Sequence, residues 1–294
     1  MRFPVKFNRT FWPKALTKAL PSATDPRVLC NGKVDDITFT SAVSSFKFGS
    51  TYKSTQKARF PLTILEIASL PYEKRPVVVD VGASDGSTSM DLMQAISFEK
   101  YYVTDLNIEV FYDVSGDVTW FYDEKGTCIL RVTDKWVVYP ETGGEIFPFD
   151  RISRSLISQA PKWESDAARI KLINPALQAR KEINIFIEKH NILETWPHGK
   201  VDLIIAANIL NQSYFTASEI KQALKNMLTA LEGSGRIAII DNHPNERATI
   251  FQFIEGNVKV EKRIKGGTDI ENLALISFGA NNTLVSANKA AEQV

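Results

Sequence analysis

The chain has 294 residues, a length that suits one enlarged domain or a domain carrying a subdomain. Hydrophobic residues make up 44% and charged residues 23%, which excludes disordered, collagen-like and coiled-coil chains. Lys and Arg number 35 against 34 Asp and Glu, so the net charge of +1 gives no global pull toward nucleic acid or a charged membrane.

Before Asp25 the chain carries Arg2, Lys6, Arg9, Lys14 and Lys18 and no acid. That composition resembles an organelle presequence or a membrane-surface segment, but Pro4 and Pro13 interrupt any long helix. The expectation is a basic arm packed on its own domain. Residues 1–70 read as a helical and irregular N-terminal cap. Two cysteines, Cys30 and Cys128, cannot build a disulfide framework or a thiolate metal cluster. They read as reduced thiols of a cytoplasmic chain. Three histidines leave little for a metal site, and no metal is expected.

From Val77 onward, short apolar runs alternate with helical patterns. Val77–Val81 is continuous and β-branched, as buried parallel strands are. Tyr101–Asp105, Ile183–Ile187, Val201–Ala207 and Arg236–Ile240 continue the series. Thr216 and Glu219 form a capping box for a helix that Gly233 is expected to stop. Val258–Ile264 and Leu273–Ser277 read as two further strands, joined by a turn at Gly266-Gly267. The alternation predicts a doubly wound, mostly parallel α/β sheet over residues 71–106 and 181–294.

Residues 107–180 break the rhythm and read as an inserted β-rich subdomain. Glu109–Asp113, Val118–Tyr122, Cys128–Thr133 and Lys135–Tyr139 are separated by turn signals and predict a β-meander. An amphipathic helix is expected from Pro148, with Phe149, Ile152, Leu156 and Ile157 on one face. The aromatic density of this stretch needs a buried face, a mini-core or else an acceptor wall or dimer interface.

The sharpest signal is Val79-Asp80-Val81-Gly82-Ala83-Ser84-Asp85-Gly86-Ser87-Thr88, a buried strand running through a glycine turn into a helix. Gly82 and Gly86 allow close approach of a ligand to the backbone, and the helix amides point to the same place. Asp105, ending the next strand, suits a ribose diol. A nicotinamide site lacks its Gly-x-Gly-x-x-Gly. A hydrolase is the second reading, since Gly82-Ala83-Ser84-Asp85-Gly86 matches Gly-x-Ser-x-Gly, although few strand candidates precede it. The third is an S-adenosylmethionine site, with Asp80 and the turn at the amino-acid end of the cofactor.

Here the sequence resembles class I S-adenosylmethionine-dependent methyltransferases, whose pattern is an acid followed by Gly-x-Gly-x-Gly after the first strand. Asp80, Gly82, Ser84 and Gly86 match it with one substitution, and Asp105-Leu106 matches the end of the second strand. Residues 185–197, with Asn191 and Ile192, look like the third strand and adenine loop. Residues 201–210, with Asn208, look like the fourth strand, and residues 231–236 like the turn before the fifth. The resemblance covers roughly residues 77 to 280 and implies a seven-stranded Rossmann-like sheet. Within the family, Asn191-Ile192-Leu193 and Asn208-Ile209-Leu210 are similar to the chemotaxis-receptor glutamate methyltransferases, whose N-terminal helical domain is not evident here.

The resemblance implies S-adenosylmethionine as cofactor and methyl transfer to an O- or N-acceptor, a small molecule or a protein carboxylate or hydroxyl. A non-catalytic binding or scaffolding protein of the same fold is the alternative. A hydroxyl or protonated amine acceptor benefits from a base. His243 is the candidate, with Asp241 or an adjacent acid as orienter, and Tyr214 is the second catalytic candidate. No nucleic acid is expected as partner. Membrane contact and a homodimer are lesser expectations.

Overall fold

The structure is a computed structural model that describes residues 3–32, 34–49, 51–53, 55–140, 147–163, 167–242, 245–254 and 256–279. The chain divides into two compact units. One comprises Met1–Gln56, Ser84–Ser87 and Asn107–Arg180, the other Lys57–Ala83, Thr88–Leu106 and the chain from Lys181 onward.

The second unit is built on a seven-stranded sheet in the order Ile185–Lys189, Lys100–Asp105, Val77–Val81, Val201–Ala207, Leu231–Asn242, Glu246–Ile254, Asn257–Ile264. The first five strands run parallel. The last two return antiparallel as hairpins. Val78, Val79, Asp80 and Val81 are all buried, the double-sided burial expected of an unbroken β-branched run. The helix Ala217–Ala230 carries the reciprocal Thr216–Glu219 cap and buries Ile220, Leu224 and Met227 on the sheet. It ends before Gly233, because Leu231 is already extended, 3% exposed and paired with Val201.

Two tail expectations change. Leu273–Ser277 lies not in a strand but in the helix Glu271–Ser277. Ile270, Ala274 and Phe278 are buried at four-residue intervals, a helical period, and Phe278 meets the Phe251 ring edge-on. Glu246–Ile254 forms a strand where none is expected from the sequence.

The first unit is a second seven-stranded sheet, ordered Ala168–Lys171, Glu109–Ser115, Val118–Tyr122, Cys128–Val132, Trp136–Val138, Val5–Asn8, Ser22–Ala23. The expected meander strands pair in sequence as antiparallel neighbours. The N-terminal segment differs from a separate cap of residues 1–70. Val5–Asn8 pairs antiparallel with Trp136–Val138, so the basic arm completes the sheet of the meander. Phe39, Ala42, Val43 and Phe46, from the helix Asp36–Val43 and its exit, share one core with Phe121, Leu130, Val137 and Tyr139. Residues 57–70 belong to the other unit, where buried Glu246 accepts from the amides of Leu62 and Thr63 at the start of the helix Pro61–Ala68.

Candidate cofactor site

Val77–Val81 ends in a turn of alternating left-handed residues: Gly82 at φ +67°, Ser84 at +59° and Gly86 at +82°. Glycine takes that conformation without penalty, whereas Ser84 does so at a cost of roughly 1 kcal/mol. A Cβ on Gly82 would stand 2.8 Å from Cγ1 of Ile209, so the position is closed to side chains by a neighbour in the protein, before any ligand is considered. The amide of Ala83 donates to the carbonyl of Thr104 at 2.9 Å and ties the turn to the second strand.

The tip of the turn, Ser84–Ser87, groups with the first unit. Asp85 is fully buried there. Its carboxylate accepts from the hydroxyls of Thr40 and Thr55 and from the amide of Ser87. Its carbonyl accepts from the Asn174 amide at 2.8 Å, and Lys53 Nζ donates to the carbonyl of Ser84 at 3.2 Å. Asp85 therefore sets the turn through protein groups on every side of its carboxylate.

Asp80 is also fully buried but is less well satisfied. Ser89 Oγ donates to its Oδ2 at 2.5 Å, and Oδ1 has no hydrogen-bond partner among the described residues. Burial, reinforced by the charge of Asp105, pushes its carboxyl up to about 7 despite the Ser89 bond. Asp105 closes the second strand half-buried, and its carbonyl accepts from the His190 amide at 3.2 Å. Leu106 beside it is 47% exposed.

Asn191 spends its side chain locally: Oδ1 accepts from the Leu193 amide, and Nδ2 donates to Glu194. Ile192 is buried in the core of the second unit, with its carbonyl accepting from Asn226 Nδ2 at 3.3 Å. The cavity behind it, lined in part by Val79, Trp196 and Met227, measures about 20 Å³, room for a water and not for a purine ring. His190 and His198 both pack on Trp196, and His198 bonds Glu188 at 2.8 Å. Burial lowers the His190 pKa.

Asn208 sits at φ +56°, a left-handed turn that asparagine tolerates, and its amide donates to the carbonyl of Ile240. Tyr214 is half-buried and lies near Arg59, whose guanidinium pKa is lowered by burial. Arg59 is a residue that sequence reasoning missed, because nothing local links positions 59 and 214. His243 lies outside the described residues. Asp241, its expected orienter, is instead engaged by the Thr268 hydroxyl at 2.5 Å and the Asp269 amide at 3.1 Å. Among the described residues no group of three or more His, Cys, Asp or Glu could hold a metal ion.

No protein-family model matches the sequence, and no curated protein matches it. Among solved structures the chain is similar to mitomycin 7-O-methyltransferase MmcR, at 14% identity over 61% of this chain and 35% of that one, with a TM-score of 0.31. It is similar to N-methyltransferase NodS from Bradyrhizobium japonicum WM9 in complex with S-adenosyl-L-homocysteine, at 13% identity over 60% and 58%, with a TM-score of 0.29. It is also similar to the pyocyanin biosynthetic protein PhzM, at 15% identity over 61% and 36%, with a TM-score of 0.31. The chain thus spans between 35% and 58% of the length of these structures.

Proposed function

We propose that this protein is an S-adenosylmethionine-dependent methyltransferase acting on an O- or N-acceptor. The observation that carries the reading is the parallel core with Asp80, the glycine turn and Asp105 at the carboxyl ends of two neighbouring strands, where open α/β sheets bind ligands. The donor set suits this cofactor. Asp80 keeps a buried oxygen without a partner among the described residues, and half-buried Asp105 beside it offers an acceptor for a diol.

Asp105 would hold the ribose hydroxyls, with Leu106 flanking them. The backbone of Gly82, Ser84 and Gly86, in a turn anchored by Asp85, would meet the amino-acid end. Asn191 and Ile192 would border the adenine through their backbone, since their side chains are committed elsewhere. Asn208 and Tyr214 would border the acceptor end, and His243 would be the base for a hydroxyl or ammonium acceptor. When bound, the cofactor supplies a methyl group on a sulfonium that is its own leaving group. The chain's task is to orient the acceptor and exclude water. A carboxylate acceptor would require no base at all. A cytoplasmic setting is supported by the two free cysteines, Cys30 and Cys128.

A binding protein of the same fold without catalysis is the second reading. Ile209 packed where a Gly82 Cβ would stand, and Asp241 turned to Thr268, both favour it. A hydrolase at Ser84 would need a histidine base, and two of the three histidines, His190 and His198, are built into the Trp196 cluster. Ultraviolet cross-linking with methyl-labelled S-adenosylmethionine tests the proposal. Label is expected in the peptides holding residues 80–86 or 105–106. Label elsewhere, or labelling not competed by S-adenosylhomocysteine, would overturn it.

A further inference from the structure

The first unit carries an aromatic surface to which the proposed function assigns no residue. In Val5–Asn8, Lys6 points inward over the rings of Tyr52 and Tyr139, at 4.8 and 4.6 Å, and Asn8 is buried. Phe3, Val5 and Phe7 therefore share the opposite face. Phe3 meets Phe149 edge-on at 5.8 Å. Phe7 packs on Trp12 at 5.4 Å and on Trp136 at 4.8 Å, and Trp12 in turn on Phe11 at 5.3 Å.

This aromatic seam reaches solvent at both ends. Phe11 is 50% exposed at one end, and Phe147, Phe149 and Ile152 are 82%, 39% and 45% exposed at the other. Each end is bordered by base. The helix Lys14–Ala19 buries none of its residues, and Lys14 and Lys18 stand one turn apart on it. Lys135 lies over the Phe11 ring at 5.6 Å. At the far end the helix Phe149–Ile157 buries only Ser153 and exposes Arg151 and Arg154. The arm holds exposed rings and lysines and no acid before Asp25, and the far helix sets Arg151 and Arg154 against a single acid, Asp150; aromatic rings with an excess of base form the composition that partitions into the headgroup region of a bilayer.

We propose that this aromatic and basic face docks the chain onto an anionic phospholipid surface. The rings would enter the interface, and Lys14, Lys18, Arg151 and Arg154 would meet the lipid charges. The contact is peripheral, because no helix among the described residues is long and apolar enough to cross a membrane. It stands independently of the methyltransferase reading.

Sedimentation of the full chain with phosphatidylcholine vesicles, made with and without phosphatidylserine, tests the proposal. Binding is expected only with phosphatidylserine, and it should collapse near about 1 M salt, where the screening length is a few ångström. Each basic residue near such a leaflet strengthens binding about fivefold, so Lys14→Gln with Lys18→Gln should weaken it by roughly 25-fold. Phe11→Ser and Phe147→Ser should each weaken it by roughly tenfold through lost apolar insertion. Lys14, Lys18 and Phe147 are solvent-facing, so circular dichroism and the unfolding midpoint of their variants should stay unchanged, and circular dichroism should show that Phe11→Ser, which loses its packing on Trp12, still folds. Equal binding to both vesicle types, no binding to either, or variants that bind like the parent would overturn the proposal. So would a dimer that these variants abolish, found without vesicle binding, since the face would then belong to a second copy.

Discussion

Asp80 and Asp85 stand at the two ends of one turn, both fully buried, yet each belongs to a different unit and the two are held in opposite ways. Asp85 has hydrogen-bond donors on both oxygens. Asp80 has Ser89 on one oxygen, no partner among the described residues on the other, and the charge of Asp105 nearby. Burial alone does not say what a carboxylate does. A saturated one anchors the backbone, whereas an under-satisfied one holds its proton near neutral pH and leaves an acceptor for something else.

The contrast breaks most visibly at Asp85. Asp85→Ala orphans two hydroxyls and an amide in a buried site, at about 1–3 kcal/mol each, so a loss of roughly 3–5 kcal/mol is expected in denaturant unfolding. A loss under about 1 kcal/mol would mean that the turn does not depend on this anchor. At the other end Gly82→Val pushes a branched side chain into Ile209 and forces a left-handed φ, for an expected loss of about 2–4 kcal/mol. Because the clash is specific, adding Ile209→Ala should recover part of that loss, and strictly additive effects would refute the contact.

Asp80 predicts a pH dependence. Its folded carboxyl titrates at about 7, above the 3.8 of the unfolded chain, so between those values the folded state holds a proton that the unfolded state has lost. Stability from this group is therefore fully present below about 4 and declines as pH rises toward 7, by an amount on the order of 2–4 kcal/mol. Asp80→Asn should flatten that window in thermal melts. A variant with the same slope as the parent would place the titration on another residue. The smallest effect is at Ser84. Ser84→Gly relieves the left-handed backbone, about 1 kcal/mol, against a greater unfolded-state entropy, for a net gain of about 0.5 kcal/mol or less. Cofactor binding should survive both this change and Ser84→Ala, and a fluorophosphonate adduct on Ser84 would instead revive the hydrolase reading.

What the sequence made legible was local. Val77–Val81 announced a buried strand through its unbroken branched residues, and Thr216 with Glu219 announced a helix start through a reciprocal cap. Val118–Tyr122 was framed by turns at both ends and forms with those bounds. What was hidden depends on partners far along the chain. Nothing near Val5 signals its pairing with Val138, nor anything near Asp85 its bonds to Thr40 and Thr55. Leu273–Ser277 is short and apolar enough to suit either period, and the burial of Ala274 decided for helix. The turn itself was legible from its glycines, but Ile209 over Gly82 was not, since Ile209 follows the fourth strand and meets the first only in the folded sheet.

The central claim is that the glycine turn and Asp105 hold S-adenosylmethionine. Calorimetric titration with S-adenosylhomocysteine, of the parent chain and of Asp105→Ala, tests it most directly. One site per chain is predicted for the parent. In the variant, loss of a charged partner to the ribose hydroxyls should weaken binding by about 1.5–3 kcal/mol, with the unfolding midpoint unchanged. Equal dissociation constants for the two proteins, or no binding by a folded parent, would contradict the account.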